Sequence, residues 1–245
     1  MRQDGVGGLA GDAPFGRASL ALTLLVLALS LSAAAQTDQL LPEVDAYYKI
    51  TSPVRIWLQA KETSEACTPV TAEFGPSLDF YVKSPLKFEN VTAFDLDDSK
   101  SRVVVISVGY RYLPTPDDPP TNRMEPLLTL NYPVPRINFL LSDRNRADMD
   151  WKAGTFTWRY RNRVQLERTL KWGSYHLSPY ASAEFFYESQ YQKWATTALY
   201  AGCLLPLGKQ FELNPYYEHQ NTTGKSPNQQ FNQAGLMLNM YFSRR

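Results

Sequence analysis

The chain has 245 residues, and its 25 lysines and arginines nearly balance 24 aspartates and glutamates, for a formal charge of +1. This balance argues against a general nucleic-acid binder, which carries a clear basic excess. Two cysteines and two histidines are too few for the usual four-ligand structural zinc site. We expect no metal site and no cofactor.

The first predicted element is an export signal. The apolar stretch LALTLLVLALSLS (20–32) follows the positive charge of Arg17 and precedes three alanines. This order is typical of a secretory signal peptide, and the apolar run is shorter than the roughly 20 residues that a membrane-spanning helix needs. We therefore predict a signal peptide over 1–35 and a mature domain over 36–245.

The mature chain is predicted to consist of β-strands throughout. Alternating segments are separated by turn sequences such as TPDDPP and TTGKSPN. No connection has room for a crossover helix, so the strands form an antiparallel meander. The twelve predicted strands are 43–50, 54–62, 71–82, 86–96, 102–112, 123–132, 136–149, 155–171, 174–188, 193–205, 210–221 and 229–242.

The stretch TFTWRYRNRVQLERTLKW (155–172) shows the alternation most clearly. Its even positions are mainly apolar, including Phe156, Trp158, Tyr160, Val164 and Leu166. Its odd positions are polar or charged, including Arg159, Arg161, Arg163 and Glu167. A period of two is the signature of an extended strand, whose side chains alternate between two faces. This segment is therefore a long strand with one apolar face and one charged face.

Two architectures produce such alternation: a soluble sandwich with its apolar faces inside, and an outer-membrane barrel with its apolar faces toward lipid. The barrel is favoured because the apolar faces end in aromatic residues, as Tyr175 and Tyr187 do on one strand. Strands of about 10 residues also suit a bilayer. We predict an all-β, antiparallel, up-and-down transmembrane barrel of about 12 strands in a bacterial outer membrane, with a secreted soluble β-protein as the alternative.

An even number of strands places both chain termini on the periplasmic side. Connections then alternate between the two ends of the barrel. On this scheme the connections 113–122 and 222–228 form longer outer loops, and those at 132–135 and 206–209 form tight inner turns.

The chain also resembles a known family. WRYRNRVQLER, GYRYLP, LLSDRNRADM and the C-terminal NPYYEHQN and NQAGLMLNMYF are similar to an uncharacterised bacterial family of domains of unknown function, number 2490. The resemblance covers roughly 40–243 and implies an outer-membrane β-barrel without an agreed activity. One departure is that Ser243 and two arginines follow Phe242, whereas barrels commonly end on an aromatic residue that the assembly machinery reads.

The faces of the predicted strands assign candidate residues to the lumen and to the lipid. The lumen-facing, solute-facing candidates are Arg144, Arg146, Arg159, Arg161, Arg163, Glu167, His176, Glu184, Glu188, Glu212 and Glu218. The lipid-facing candidates are Phe156, Trp158, Tyr160, Leu177, Phe185, Leu213, Leu236, Leu238 and Phe242. The arginines either pair with the acids in a network that fills the lumen or leave a positive field that favours anionic solutes.

These residues predict a non-enzymatic, porin-like barrel, a narrow channel for small polar or anionic solutes. Its expected partners are the bilayer, the barrel-assembly machinery and small anions, with no nucleic acid. One alternative is a lipid-modifying hydrolase, because His176 and Ser178 share one face of a strand. A serine nucleophile needs its base within hydrogen-bond reach, which this spacing permits but does not arrange. The other alternative is a structural or partner-binding barrel.

Overall fold

The structure is a computed structural model that describes residues 37–66, 68–82, 96–173, 175–224 and 228–243. Eleven of the twelve predicted strands appear among the described residues, and the one predicted over 155–171 is divided in two, so that twelve strands are described. They are β1 (Thr37–Lys49), β2 (Val54–Glu65), β3 (Thr68–Val82), β4 (Val104–Thr115), β5 (Asp118–Val134), β6 (Phe139–Lys152), β7 (Thr155–Arg168), β8 (Leu170–Trp172), β9 (Tyr175–Glu188), β10 (Lys193–Leu207), β11 (Phe211–Thr222) and β12 (Gln229–Ser243).

The strands close into a barrel whose ring contains eleven strands. Each strand pairs with its neighbour along the chain in antiparallel register, and β8 continues the line of β7 along β9 beyond a break at Thr169. The ring closes where β1 pairs with β12 over thirteen residue pairs, from Thr37 beside Phe231 to Lys49 beside Ser243. Every backbone edge of the ring is thereby paired.

The prediction that both termini lie at the same end of the barrel is wrong. β1 and β12 run parallel, which places Thr37 at one end of the ring and Ser243 at the other. The physical reason is the odd number of strands in the ring, since each antiparallel strand reverses direction. β3 pairs directly with β4, so the ring holds no strand between them. The strand predicted over 86–96 falls almost entirely outside the described residues.

One connection is shorter than the sequence predicted. β4 and β5 extend through most of 113–122 and leave only Pro116 and Asp117 between them, so the prediction of a longer loop there is wrong. Gly154 and Gly208 have φ values of 81° and 85°. Glycine adopts this left-handed conformation without a steric penalty, which allows the chain to reverse within a few residues. β10 ends at Leu207 and β11 ends at Thr222, at opposite ends of the ring, in agreement with the predicted placement of the two connections that follow.

The barrel is polar inside and apolar outside, the reverse of an ordinary globular protein. Among the described residues, 22 buried side chains are polar or charged and 12 are hydrophobic. The outer surface carries large exposed apolar residues on every long strand. The predicted outward residues Phe156, Trp158, Phe185, Leu236 and Phe242 are between 39% and 51% exposed.

The remaining predicted outward residues lie on the same faces and are half-buried by their neighbours. They are Tyr160, Leu177, Leu213 and Leu238. An aromatic contact covers Tyr160: the centroid of the Trp194 ring lies 6.0 Å from that of Tyr160. The Trp194 centroid also lies 5.8 Å from that of Tyr187. Trp158 stacks on Tyr187 at 5.5 Å. The aromatic residues therefore cluster near the end of the barrel where β9 turns into β10.

A short segment between β3 and β4 folds into the lumen. This inner segment (96–103) contains a 3₁₀ helix, Asp98–Ser101, which Asp97 caps by accepting a hydrogen bond from the backbone N–H of Ser99. Asn131 on β5 donates to the carbonyl oxygens of Ser99 and Arg102 at 3.1 and 2.9 Å. The inner segment thus narrows the end of the barrel at which β1 finishes. Within the described residues, no helix is long and apolar enough to cross a membrane.

Candidate functional site

The charged interior begins with an array of arginines on β6 and β7. Their register places Arg144 directly opposite Arg163, and Arg146 opposite Arg161. Like charges in direct cross-strand positions are destabilising unless other groups compensate. We call the inward faces of these two strands, with Arg144, Arg146, Arg159, Arg161 and Arg163, the basic wall.

Two buried carboxylates, Glu184 and Asp148, compensate most of the positive charge of the basic wall. Glu184 on β9 is fully buried and accepts two hydrogen bonds from Arg161, both at 2.8 Å, and two from Arg163, at 3.1 and 2.7 Å. Asp148 on β6 is also fully buried and binds Arg146 at 2.7 Å and Arg159 at 2.8 Å. Hydrogen-bonded carboxylate–guanidinium pairs are the strong form of ion pair. The prediction of a mixed charge network is therefore confirmed for this wall.

A second charge cluster on β3, β4 and β5 was missed by the sequence analysis. Arg111 is fully buried, and its Nε lies 3.8 Å from Glu73 and 3.6 Å from Glu125. Arg123 on the next strand binds Asp150 at 2.6 Å. These residues alternate with apolar ones, so a period-two pattern in GYRYLP and TNRMEP is the signal that could have identified them.

The inner segment is tied to the barrel by ion pairs. Arg55 on β2 contacts Asp79 at 2.7 Å and Asp97 at 2.6 Å, and Lys100 contacts Glu167 on β7 at 2.9 Å. Burial alone would raise the pKa of Asp97. The charges of Arg55 and Lys100 and the hydrogen bonds from Ser99 outweigh burial, so the pKa of Asp97 lies below its ordinary value.

The opposite side of the ring carries carboxylates. Glu43 and Asp45 on β1, with Glu212 and Glu218 on β11, are buried and form what we call the acidic wall. Glu212 accepts a hydrogen bond from Asn239 at 2.9 Å, and Lys61 lies 3.8 Å from Glu43. Glu218 makes neither an ion pair nor a hydrogen bond with any residue in the described part of the chain.

The two walls line an internal cavity. Its volume is about 410 Å³, and its lining includes the five arginines of the basic wall together with Glu43, Asp45 and Glu218. A second cavity of about 180 Å³ lies beside the inner segment and shares Arg144 and Arg163 with the first. Cavities of a few hundred Å³ are large enough to hold small-molecule ligands.

The structure places the predicted lumen residues on the inward face, where Glu184 binds Arg161 and Arg163. Asp148 binds Arg146 and Arg159. The structure assigns different partners to the other predicted acids. Glu167 binds Lys100, and Glu188 accepts a hydrogen bond from Thr196 at 2.7 Å. The sequence could identify the face on which these acids lie. It could not identify their partners, because those partners lie on other strands or on the inner segment, and their positions depend on how the barrel assembles.

The candidate hydrolase residues lie on the inward face of β9, as predicted. His176 is half-buried, and the Ser178 hydroxyl lies 3.0 Å from the hydroxyl of Thr169. A nucleophilic serine would need to exchange that contact for one with its base, so the hydrolase hypothesis stays a prediction. No group of three or more potential metal ligands occurs among the described residues. Cys67 lies outside them, and Cys203 is half-buried.

Comparison with protein families identifies the family of the chain. Residues 99–232 match a family described as protein of unknown function (DUF2490), and the match covers more than half of the chain. The chain belongs to this family. The match spans β4 to β11 and includes the basic wall and Glu184. A search of curated proteins found no match.

Proposed function

We propose that this DUF2490 protein is an outer-membrane barrel that passes small polar or anionic solutes through a narrow, charged lumen. The observation that carries the proposal is the distribution of polarity around the closed ring. Exposed apolar side chains cover the outside, while carboxylates and guanidinium groups fill the inside. Only a surrounding of hydrocarbon makes such an outer surface favourable over the full height of the strands.

The height and the aromatic residues of the ring support the same environment. The long strands contain 12 to 17 residues, more than the 9–11 or so that a tilted strand needs to cross the hydrocarbon layer. Trp194 and Tyr187 lie near one end of the ring, and Tyr132 and Tyr175 lie near the other. Aromatic rings at two levels are typical of the two membrane interfaces.

The lumen supports passage of small solutes only. The cavity of about 410 Å³ is bounded by the basic wall, and the inner segment narrows one end through its contacts with Arg55 and Glu167. Arginines that line a confined space raise the local concentration of anions. Arg161 binds Glu184 through two hydrogen bonds, so the field available to a solute comes mainly from Arg144.

Membrane fractionation and conductance test the proposal. The protein is expected in the outer-membrane fraction and to change gel mobility on heating, as folded barrels do. In planar bilayers it should give small single-channel conductances with anion preference. Arg144→Gln should reduce that preference, whereas Arg168→Gln, which removes an exposed guanidinium outside the lumen, should not. A water-soluble protein without a mobility shift would contradict the proposal. A folded membrane barrel without conductance would favour a structural or partner-binding role.

A further inference from the structure

Two groups that can carry opposite charges line the cavity between the two walls and have no ion-pair partner among the described residues. One is Arg144 on the basic wall, and the other is Asp45 on the acidic wall. Both belong to strands whose other charges are largely paired. A charged group in a confined interior is costly unless an opposite charge or hydrogen bonds compensate it. The two groups therefore mark positions where a solute can supply the missing partner.

Arg144 is the arginine of the basic wall that the network leaves open. Within the described residues it makes no ion pair and no hydrogen bond, and its direct neighbour across the strands is another arginine, Arg163. Arg163 in turn is held by Glu184. Arg144 also lines the second cavity, beside the inner segment. Its guanidinium can present two parallel N–H donors to a carboxylate.

Asp45 has the corresponding position on the acidic wall. It is 2% exposed, and one carboxylate oxygen accepts a hydrogen bond from the Tyr47 hydroxyl at 3.1 Å. The other oxygen is buried and has no hydrogen-bond partner among the residues described. Glu43, two residues away on the same face, adds negative charge. A cationic donor such as an ammonium group would complete this site.

The topology sets these two groups across the lumen from each other. β1 and β6 are separated by five steps in a ring of eleven strands, so they lie on opposite sides. Both groups nevertheless line one cavity of about 410 Å³. Trp57 lines the same cavity, and its indole N–H has no acceptor in the described part of the chain. The space therefore offers a positive side, a negative side and a neutral donor.

We propose that this cavity binds a small zwitterionic solute, with its carboxylate toward Arg144 and its ammonium group toward Asp45. The proposal rests on the solute-passing function above and names the class of solute. A simple anion would satisfy Arg144 but would meet repulsion from Glu43, Asp45 and Glu218 across the cavity. A simple cation would be attracted by Asp45 but repelled by the arginines of the basic wall. A molecule that carries both charges avoids both penalties.

Calorimetry of the purified, detergent-solubilised protein tests the pairing of charges. The probes are γ-aminobutyrate, butyrate and butylamine, which share a chain length and differ in their charged ends. We expect γ-aminobutyrate to bind at least about tenfold more tightly than either single-charge probe, since each single-charge probe lacks one of the two charge-assisted hydrogen bonds. Equal binding of butyrate and γ-aminobutyrate would overturn the proposal.

Variants locate the two ends of the solute. Arg144→Gln and Asp45→Asn should each weaken γ-aminobutyrate binding about tenfold or more. Arg144→Gln should also abolish butyrate binding, whereas Asp45→Asn should leave it unchanged or stronger. The matched controls are Arg168→Gln and Asp118→Asn, which change the same groups at exposed positions. Unheated gel mobility verifies that each variant is folded. The assignment would be contradicted if a control variant lost γ-aminobutyrate binding. It would also be contradicted if Asp45→Asn bound γ-aminobutyrate as tightly as the natural protein.

Failure of this inference is distinguishable from failure of the proposed function. Binding is measured in detergent and needs no passage through a membrane, whereas conductance in planar bilayers needs no zwitterion. Conductance without γ-aminobutyrate binding would overturn the zwitterion site and leave the channel. Binding without conductance would support the zwitterion site and overturn the channel.

Discussion

The two walls of the lumen differ in how their charges are satisfied. On the basic wall, fully buried Glu184 and Asp148 each bind two or more arginines at hydrogen-bond distance. On the acidic wall, Asp45 relies on one tyrosine hydroxyl, and Glu218 makes no ion pair with the described residues. The basic wall is a connected network, and the acidic wall is a set of separate groups.

This difference indicates where the barrel derives stability and where it retains capacity to bind. A buried network is strongly destabilised when one member is removed, because the remaining charges lose their compensation. An open carboxylate or guanidinium costs stability but remains available to a solute. Substitutions in the network, in the inner segment and at the rim should separate these two roles.

Glu184→Gln should break the basic wall. Arg163 would lose its carboxylate partner, and Arg161 would keep only Asp148, 3.6 Å away, so the buried network would lose about 3–5 kcal/mol. Urea unfolding followed by gel mobility measures this loss. Glu188→Gln is the matched control on the same strand: Glu188 accepts hydrogen bonds from Thr196 and Gln190, so its loss should cost far less. Equal effects of the two variants would show that the network adds nothing specific.

Acid should release the inner segment, which connects the two sides of the lumen. The pKa of Asp97 is lower in the folded protein than in the unfolded chain. Its contribution to stability is therefore fully present above the unfolded pKa, about 3.9, and is lost as the pH falls through the lower folded pKa. Hydrogen exchange of residues 96–103, corrected for its intrinsic pH dependence, should stay slow from neutral pH to about 5 and accelerate below about 4.

Asp97→Asn provides the control for this pH dependence. The variant should expose the inner segment already at neutral pH, with a loss of about 1.5–3 kcal/mol, because Arg55 would lose a charged partner. Its exchange should then respond less to acid than that of the natural protein. An identical acid response in both proteins would assign the effect to another carboxylate.

Gly235→Ala tests whether the close packing of Tyr216 against β12, beside the acidic wall, contributes to the stability of the barrel. Tyr216 of β11 lies over Gly235 of β12, and a Cβ atom at Gly235 would lie 2.0 Å from the tyrosine ring. The ring must move, which we expect to cost about 1–2 kcal/mol. Tyr216→Ala in the same chain should remove this clash, so the two substitutions should be non-additive in urea unfolding. If the two losses of stability were additive, the position of the Tyr216 side chain would not depend on the space left by Gly235.

Asp118→Asn should have the smallest effect. Asp118 pairs with Lys152 at 3.1 Å at the rim of the barrel, where both side chains are exposed. Exposed pairs contribute about 0–1 kcal/mol and are screened by salt. Urea unfolding at low and high ionic strength should therefore differ little from that of the natural protein. A loss as large as that of Glu184→Gln would remove the distinction between the network and the rim.

The faces of the strands could be predicted from the sequence because alternation is a local property. In 155–172, Arg159, Arg161 and Arg163 repeat every second residue, and one strand suffices to place them together. The turns at 206–209 and 222–228 were predicted for the same reason, since glycine and proline mark chain reversals locally.

The closure of the ring and the partners of its charges could not be predicted in this way. The ring has an odd number of strands because β3 pairs directly with β4, and pairing depends on residues distant in the chain. The contact of Arg55 with Asp97 joins residues 42 positions apart. Arg144 and Arg163 have the same alternation, yet only Arg163 lies within reach of Glu184. Such lateral positions follow from the assembled barrel.

The central claim is that hydrocarbon surrounds the apolar face of the ring, and spin labels on β7 test it most directly. Cysteines at Val164, Gln165 and Leu166, in a chain with Cys67→Ser and Cys203→Ser, carry nitroxides in liposome-reconstituted protein. We predict that oxygen, which dissolves in hydrocarbon, relaxes the labels at Val164 and Leu166 far more than a water-soluble nickel chelate does, and that Gln165 lacks this preference. Labels at Val164 and Leu166 that both reagents fail to reach, or that the nickel chelate relaxes, would contradict the account.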